Sequence, residues 1–169
     1  MHGTSMHYFK EDIKKWIYDN FTKDITILDV GAGCGTYWNL LHDKFRNIDA
    51  VEAFEPNITD HNLREKYRIV FFSDIRDLTY NHYNLIIFGD ILEHLAVEDA
   101  QKVLDYAYDR CDNLVVALPY MYEQDAIYGN TYEIHQQPDL TPENVLERYP
   151  RLQLLFRNDQ CGYYIKKEN

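Results

Sequence analysis

The chain has 169 residues, 46% of them apolar, and a formal net charge of -11. That length fits one domain able to bury about 70% of the surface its unfolded form exposes. The acidic balance disfavours a nucleic-acid partner, which needs a basic groove, and leaves a small or cationic partner as the expectation. No apolar run approaches a membrane span. None follows Met1 to Ser5 either, so neither a signal peptide nor a membrane role is expected, and the cytoplasm is. Cys34, Cys111 and Cys161 are far apart and match no metal spacing, so free thiols and no bound metal are expected.

In chain order, Phe9, Ile13, Trp16 and Ile17 recur at helical spacing and predict a helix over 6–21. The run 25–30 reads as a buried strand ending in glycines. A helix follows over 36–45, then a strand over 48–51, a short helix opened by Pro56, and a strand over 68–72. The stretch 73–83 leaves room for a loop or one turn before a fourth strand over 84–88. Val97, Ala100, Val103, Leu104 and Ala107 share one face of a helix over 96–110. A fifth strand over 114–118 closes at Pro119, and a long polar loop runs to Leu140. Thr141 and Pro142 suit the start of a helix reaching Tyr149, and 151–157 with 161–167 read as a hairpin. Alternating strands and helices imply an α/β, Rossmann-like three-layer sandwich. Its sheet would be seven-stranded and mostly parallel, with a C-terminal antiparallel hairpin. Residues 1–169 are expected to form one domain, the first helix packing on it.

The segment Asp29-Val30-Gly31-Ala32-Gly33-Cys34-Gly35-Thr36 places three alternate glycines between a buried strand and a helix. Glycines there let the backbone turn and approach a ligand. A dinucleotide fingerprint would need glycine where Thr36 stands, so a nicotinamide enzyme is disfavoured. The carboxylate of Asp29 would repel a pyrophosphate and suit an ammonium group. Glu52 lies at the tip of the second strand. That is the sequence separation from the glycine loop at which an acid can hold ribose hydroxyls. Glu55 is its rival, placed where a helix N-cap would be.

The pattern D-x-G-x-G-x-G resembles motif I of the class I S-adenosylmethionine-dependent methyltransferases. Gly89-Asp90-Ile91-Leu92-Glu93-His94 resembles the D-x-L-E-H segment of their small-molecule members. The resemblance implies S-adenosylmethionine as cofactor. It would lie along Asp29, Gly31, Ala32, Gly33 and Gly35, with Asp29 helping to hold the methionyl end. Glu52 would take the ribose, Asp74 and Ile75 the adenine, and Gly89 and Asp90 the methionyl site. On the substrate side it implies Glu93, Tyr120 and Tyr132, with His94 or His135 as general base toward an O or N of a small-molecule acceptor. Without an acidic metal cluster in the sequence, metal-dependent catechol chemistry is not expected. A cofactor-binding module without catalysis, serving as partner subunit or sensor, is the other reading. The sequence leaves the oligomeric state open.

Overall fold

The computed structural model describes residues 6–168; Met1 to Ser5, read above as no signal peptide, lie outside the described residues. Five apolar runs form the strands β1 (Thr26–Val30), β2 (Asn47–Glu52), β3 (Val70–Phe72), β4 (Tyr83–Gly89) and β5 (Cys111–Pro119), all mutually parallel. The terminal hairpin supplies β6 (Leu152–Arg157) and β7 (Cys161–Lys166). The sheet order is β3-β2-β1-β4-β5-β7-β6, and β7 runs antiparallel to both of its neighbours. The expected Rossmann-like sheet with its C-terminal hairpin is therefore the observed one.

Both faces of this sheet are covered, which is why its strands read as apolar runs and not as alternating ones. Successive side chains point to opposite faces. Leu28, Ile86, Phe88, Leu114 and Val116 join one core with Ala100, Val103 and Leu104 of the helix Val97–Tyr108. Ile27, Leu85, Ile87, Val115 and Ala117 join another with Ile13 and Ile17 of α1 (Lys10–Asn20) and with Leu41 and Phe45. Asp49, alone in charge within β2 apart from the terminal Glu52, is 1% exposed. It accepts from Arg68 Nε at 2.9 Å and from Tyr83 Oη at 2.8 Å. A buried carboxylate thereby keeps the partners it needs.

The helices between strands are shorter than periodicity predicts. α1 starts at Lys10, not Met6, because Phe9 is in the left-handed conformation (φ 59) and the preceding residues leave the helix axis. α2 is Thr36–Leu41. The sequence predicts one helix after Pro56, but two form, α3 (Glu55–Asp60) and α4 (Leu63–Lys66). They are separated at Asn62, which takes a φ of 54. Asn tolerates that conformation better than most residues. Residues 73–82 hold only a turn, as expected from their length. After α5, the helix Val97–Tyr108, comes α6 (Pro142–Arg148), opened by a capping box between Thr141 and Asn144.

The chain runs from β1 outward through β2 and β3, then crosses to β4 and continues the other way. This reversal leaves a crevice at the carboxyl ends of β1 and β4, where open α/β sheets bind ligands. Phe45 anchors the layer behind it, 1% exposed and edge-on to Tyr18 at 5.6 Å. Phe45→Ala should cost about 3–5 kcal/mol in urea unfolding. Truncating the exposed Ile69 should cost less than about 1 kcal/mol.

Candidate active site

The glycine loop leaves β1 with Gly31 at φ 70, Gly33 at φ 53 and Gly35 at φ 84. At Gly31 two constraints coincide. The conformation is left-handed, which glycine alone adopts freely. An added Cβ would also sit 1.9 Å from Ile91 Cδ1. The N–H groups of Gly31 and Ala32 both donate to Val51 O of β2, and Gly33 N–H donates to Glu52 Oε2 at 2.8 Å. Glu52 Oε1 accepts from Phe54 N–H at 2.9 Å. One carboxylate thus joins the glycine loop to the β2 tip. It is 6% exposed yet reaches the crevice wall, while Glu55 is solvent-exposed and off that wall. Glu55 is also the first residue of α3, not its cap, which is Phe54.

Beyond β3, Asp74 lines the crevice beside Ile75. Arg76 grips it through Nε at 3.0 Å and NH2 at 2.6 Å. That charge-assisted pair holds the Asp74 carboxyl below the usual range. Beyond β4, Gly89 has no room for a side chain, since a Cβ would lie 2.1 Å from the Tyr37 ring. Asp90 takes φ 56, and its Oδ2 accepts from Met6 N–H at 2.8 Å. The one-turn helix Leu92–His94 then turns Glu93 and His94 inward. Glu93 is 1% exposed. Burial, with Asp90 nearby, pushes its carboxyl well above the carboxylate range. Burial, then His135, brings His94 down to about 4, so its ring is neutral at pH 7.

The long loop from Tyr120 is docked on that turn. Gln136 and Gln137 backbone N–H groups both donate to Glu93 O, and Gln136 Nε2 donates to His94 O at 2.9 Å. Gln137 Nε2 donates to Leu92 O and Leu95 O, each at 2.9 Å. This docking carries His135 to His94, with ring centroids 4.7 Å apart.

A cavity of about 710 Å³ results. Its wall includes Gly31, Ala32, Gly33, Glu52, Asp74, Ile75, Gly89, Asp90, Glu93, His94, Tyr132 and His135, all singled out from sequence. Three others are not on that wall. Asp29 is 1% exposed and accepts from Tyr67 Oη; Gly35 turns away into the start of α2; the Tyr120 hydroxyl pairs with that of Tyr164. Glu133 of the long loop also lines the cavity; sequence reasoning misses Tyr37, which lines it too, and Lys10, which donates to the Tyr37 and Tyr163 hydroxyls. Glycine at 89 is the available signal for Tyr37. No local pattern marks Lys10.

Burial is the main reason Asp29 stays protonated up to about 7, with Glu52 adding to it and Tyr67 and Lys10 opposing. In the unfolded chain it ionises at ~4. Between those values the folded state binds the extra proton, so stability falls as pH rises through that window. Relative to Asp29→Asn, the parent should lose up to about 1.4 kcal/mol per pH unit between those values, read from urea midpoints. Equal slopes in parent and variant would assign the proton elsewhere.

No protein-family model matches the sequence, and no curated protein does. Solved structures do resemble the fold. An S-adenosylmethionine-dependent methyltransferase from Clostridium acetobutylicum ATCC 824 is 16% identical, with TM-score 0.72 over 97% of this chain and 93% of that one. The 1,6-didemethyltoxoflavin-N1-methyltransferase of Burkholderia thailandensis, solved with S-adenosylhomocysteine, is 13% identical, with TM-score 0.67 over 95% and 79%. Magnesium protoporphyrin IX methyltransferase from Synechocystis PCC 6803, solved with S-adenosylmethionine, is 12% identical, with TM-score 0.63 over 94% and 78%. The chain has the fold of these methyltransferases.

Proposed function

We propose that the protein is an S-adenosylmethionine-dependent methyltransferase acting on an oxygen or nitrogen of a small-molecule acceptor. The observation that carries this reading is the charge of the cavity. Glu52, Asp74 and Asp90 line it, Glu93 and Glu133 add carboxyls that burial makes harder to ionise, and no Lys or Arg lines it among the described residues. Such a wall repels a pyrophosphate and attracts a ligand bearing an ammonium and a sulfonium. A nicotinamide dinucleotide fits it poorly, as the missing glycine at Thr36 also argues.

The residues divide along the wall. Glu52 has lone pairs left on both oxygens after its two backbone bonds, enough for two ribose hydroxyls. Asp74 and Ile75 stand at the next strand tip, suited to an exocyclic amino group and the face of a base. The Gly31 to Gly33 backbone and Asp90 border the methionyl end, and Asp90 takes the ammonium role that sequence alone gives to the buried Asp29. When bound, the cofactor supplies a methyl group on an already activated sulfur leaving group. What this chain adds is mainly placement. His94 and His135 line the cavity with Glu93, Tyr122 and Tyr132, and on this reading they face the acceptor. A neutral imidazole there can take its proton.

Calorimetry with S-adenosylmethionine, S-adenosylhomocysteine and NADH tests the assignment. The adenosyl ligands should bind and NADH should not. Glu52→Gln should weaken them roughly 10–100-fold, the value of hydrogen bonds to a charged acceptor worth about 1.5–3 kcal/mol. NADH binding without adenosyl binding would overturn the reading. Adenosyl binding without turnover on any acceptor would favour a binding module.

A further inference from the structure

Glu93 poses a problem that methyl transfer alone does not solve. Both of its carboxylate oxygens are buried and have no hydrogen-bond partner among the described residues. An isolated buried carboxylate is costly, and native structures rarely leave one unpartnered. No Lys or Arg shares its cavity among the described residues.

Two histidines stand beside it with their ring protons already placed. His135 Nδ1 lies 2.7 Å from Tyr122 O, and His94 Nδ1 lies 3.4 Å from Ile134 O. A carbonyl only accepts, so each contact favours the hydrogen on Nδ1 and makes Nε2 the nitrogen with a lone pair to offer. Fixing one ring nitrogen on a backbone carbonyl is how proteins orient imidazole toward a metal. His94 Nε2 is 3.8 Å from Glu93 Oε1, and one donor atom each from Glu93, His94 and His135 lie within 4.8 Å of one another. The loop that carries His135 is held by the Gln136 and Gln137 bonds to the same turn, so the three groups are assembled in advance.

We propose that Glu93, His94 and His135 form a binding site for a divalent first-row transition ion such as Mn²⁺, Co²⁺ or Zn²⁺. Two imidazoles and one carboxylate suit these ions better than Mg²⁺ or Ca²⁺, which prefer all-oxygen shells. Three protein ligands leave coordination positions open to the cavity. The use of the ion rests on the methyltransferase reading. An acceptor hydroxyl coordinated there would release its proton to solvent more readily. Its oxygen pair then forms the new bond to the methyl carbon, while the carbon–sulfur bond breaks and its electrons stay on sulfur. The histidines serve as ligands in that case and the ion replaces them in activating the acceptor.

The full chain, freed of metal, is titrated with Co²⁺ by visible absorption and with Zn²⁺ by calorimetry. One equivalent should bind, with the d–d bands of a nitrogen-containing site. His135→Ala and Glu93→Gln should each weaken binding at least about 10-fold. His135 lies on a loop, so that variant keeps its fold by circular dichroism. His82→Ala, at an exposed residue paired with Asp112, should bind as the parent does. No binding by the parent, or binding that survives both site variants, would overturn the proposal. Titrating the same samples with S-adenosylhomocysteine separates the two ideas. Metal binding without it keeps the site and removes its use in methyl transfer, and its binding without metal does the reverse.

Discussion

One buried amide holds the loop side of the cavity together. Gln137 is 2% exposed. Its side chain fills all the hydrogen-bonding positions an amide offers. Nε2 donates to two carbonyls of the turn after β4, and Oε1 accepts from Tyr149 Oη at 2.8 Å and Arg148 NH1 at 3.2 Å. Three segments distant in sequence, the β4 turn, the long loop and the end of α6, meet at that one group. In a low-dielectric interior a fully satisfied amide is rigid, and a half-satisfied one is costly. The loop is therefore a wall of the cavity with a fixed position, and the His94–His135 juxtaposition follows from it.

On the opposite side Glu52 plays a comparable part between β1 and β2. Its charge-assisted bonds to two backbone N–H groups hold the glycine loop against the β2 tip. The sheet's reversal between β1 and β4 opens the crevice, and acids at or just past the tips of β2, β3 and β4 give it its sign. Fold and electrostatics thus converge on one place, where ligand binding needs both a gap between strands and a complementary charge.

The strands are legible in the sequence because burial on both faces writes them as short apolar runs bounded by Gly and Pro. The glycine-loop side of the cavity is legible for a related reason: its residues sit at or just past strand tips, and strand tips can be located from the runs. Asp29 is misplaced by that logic because it is the penultimate residue of β1, where alternation turns it to the face carrying Ile27 and its carboxylate is covered by the distant Tyr67. Helix ends are less readable. Phe9 and Asn62 adopt left-handed conformations that no local pattern announces, and each ends or delays a helix. The meeting of Glu93 and His94 with His135 depends on how an irregular loop docks, which periodicity does not describe.

Because α1 begins only at Lys10, residues Met6 to Tyr8 precede the helix and form part of the cavity wall. A polar tie from this segment to the opposite side is Met6 N–H to Asp90. A hydrogen bond of that kind is worth only about 1–3 kcal/mol. The segment thus closes one edge of the cavity through a contact far weaker than the packing that holds the sheet.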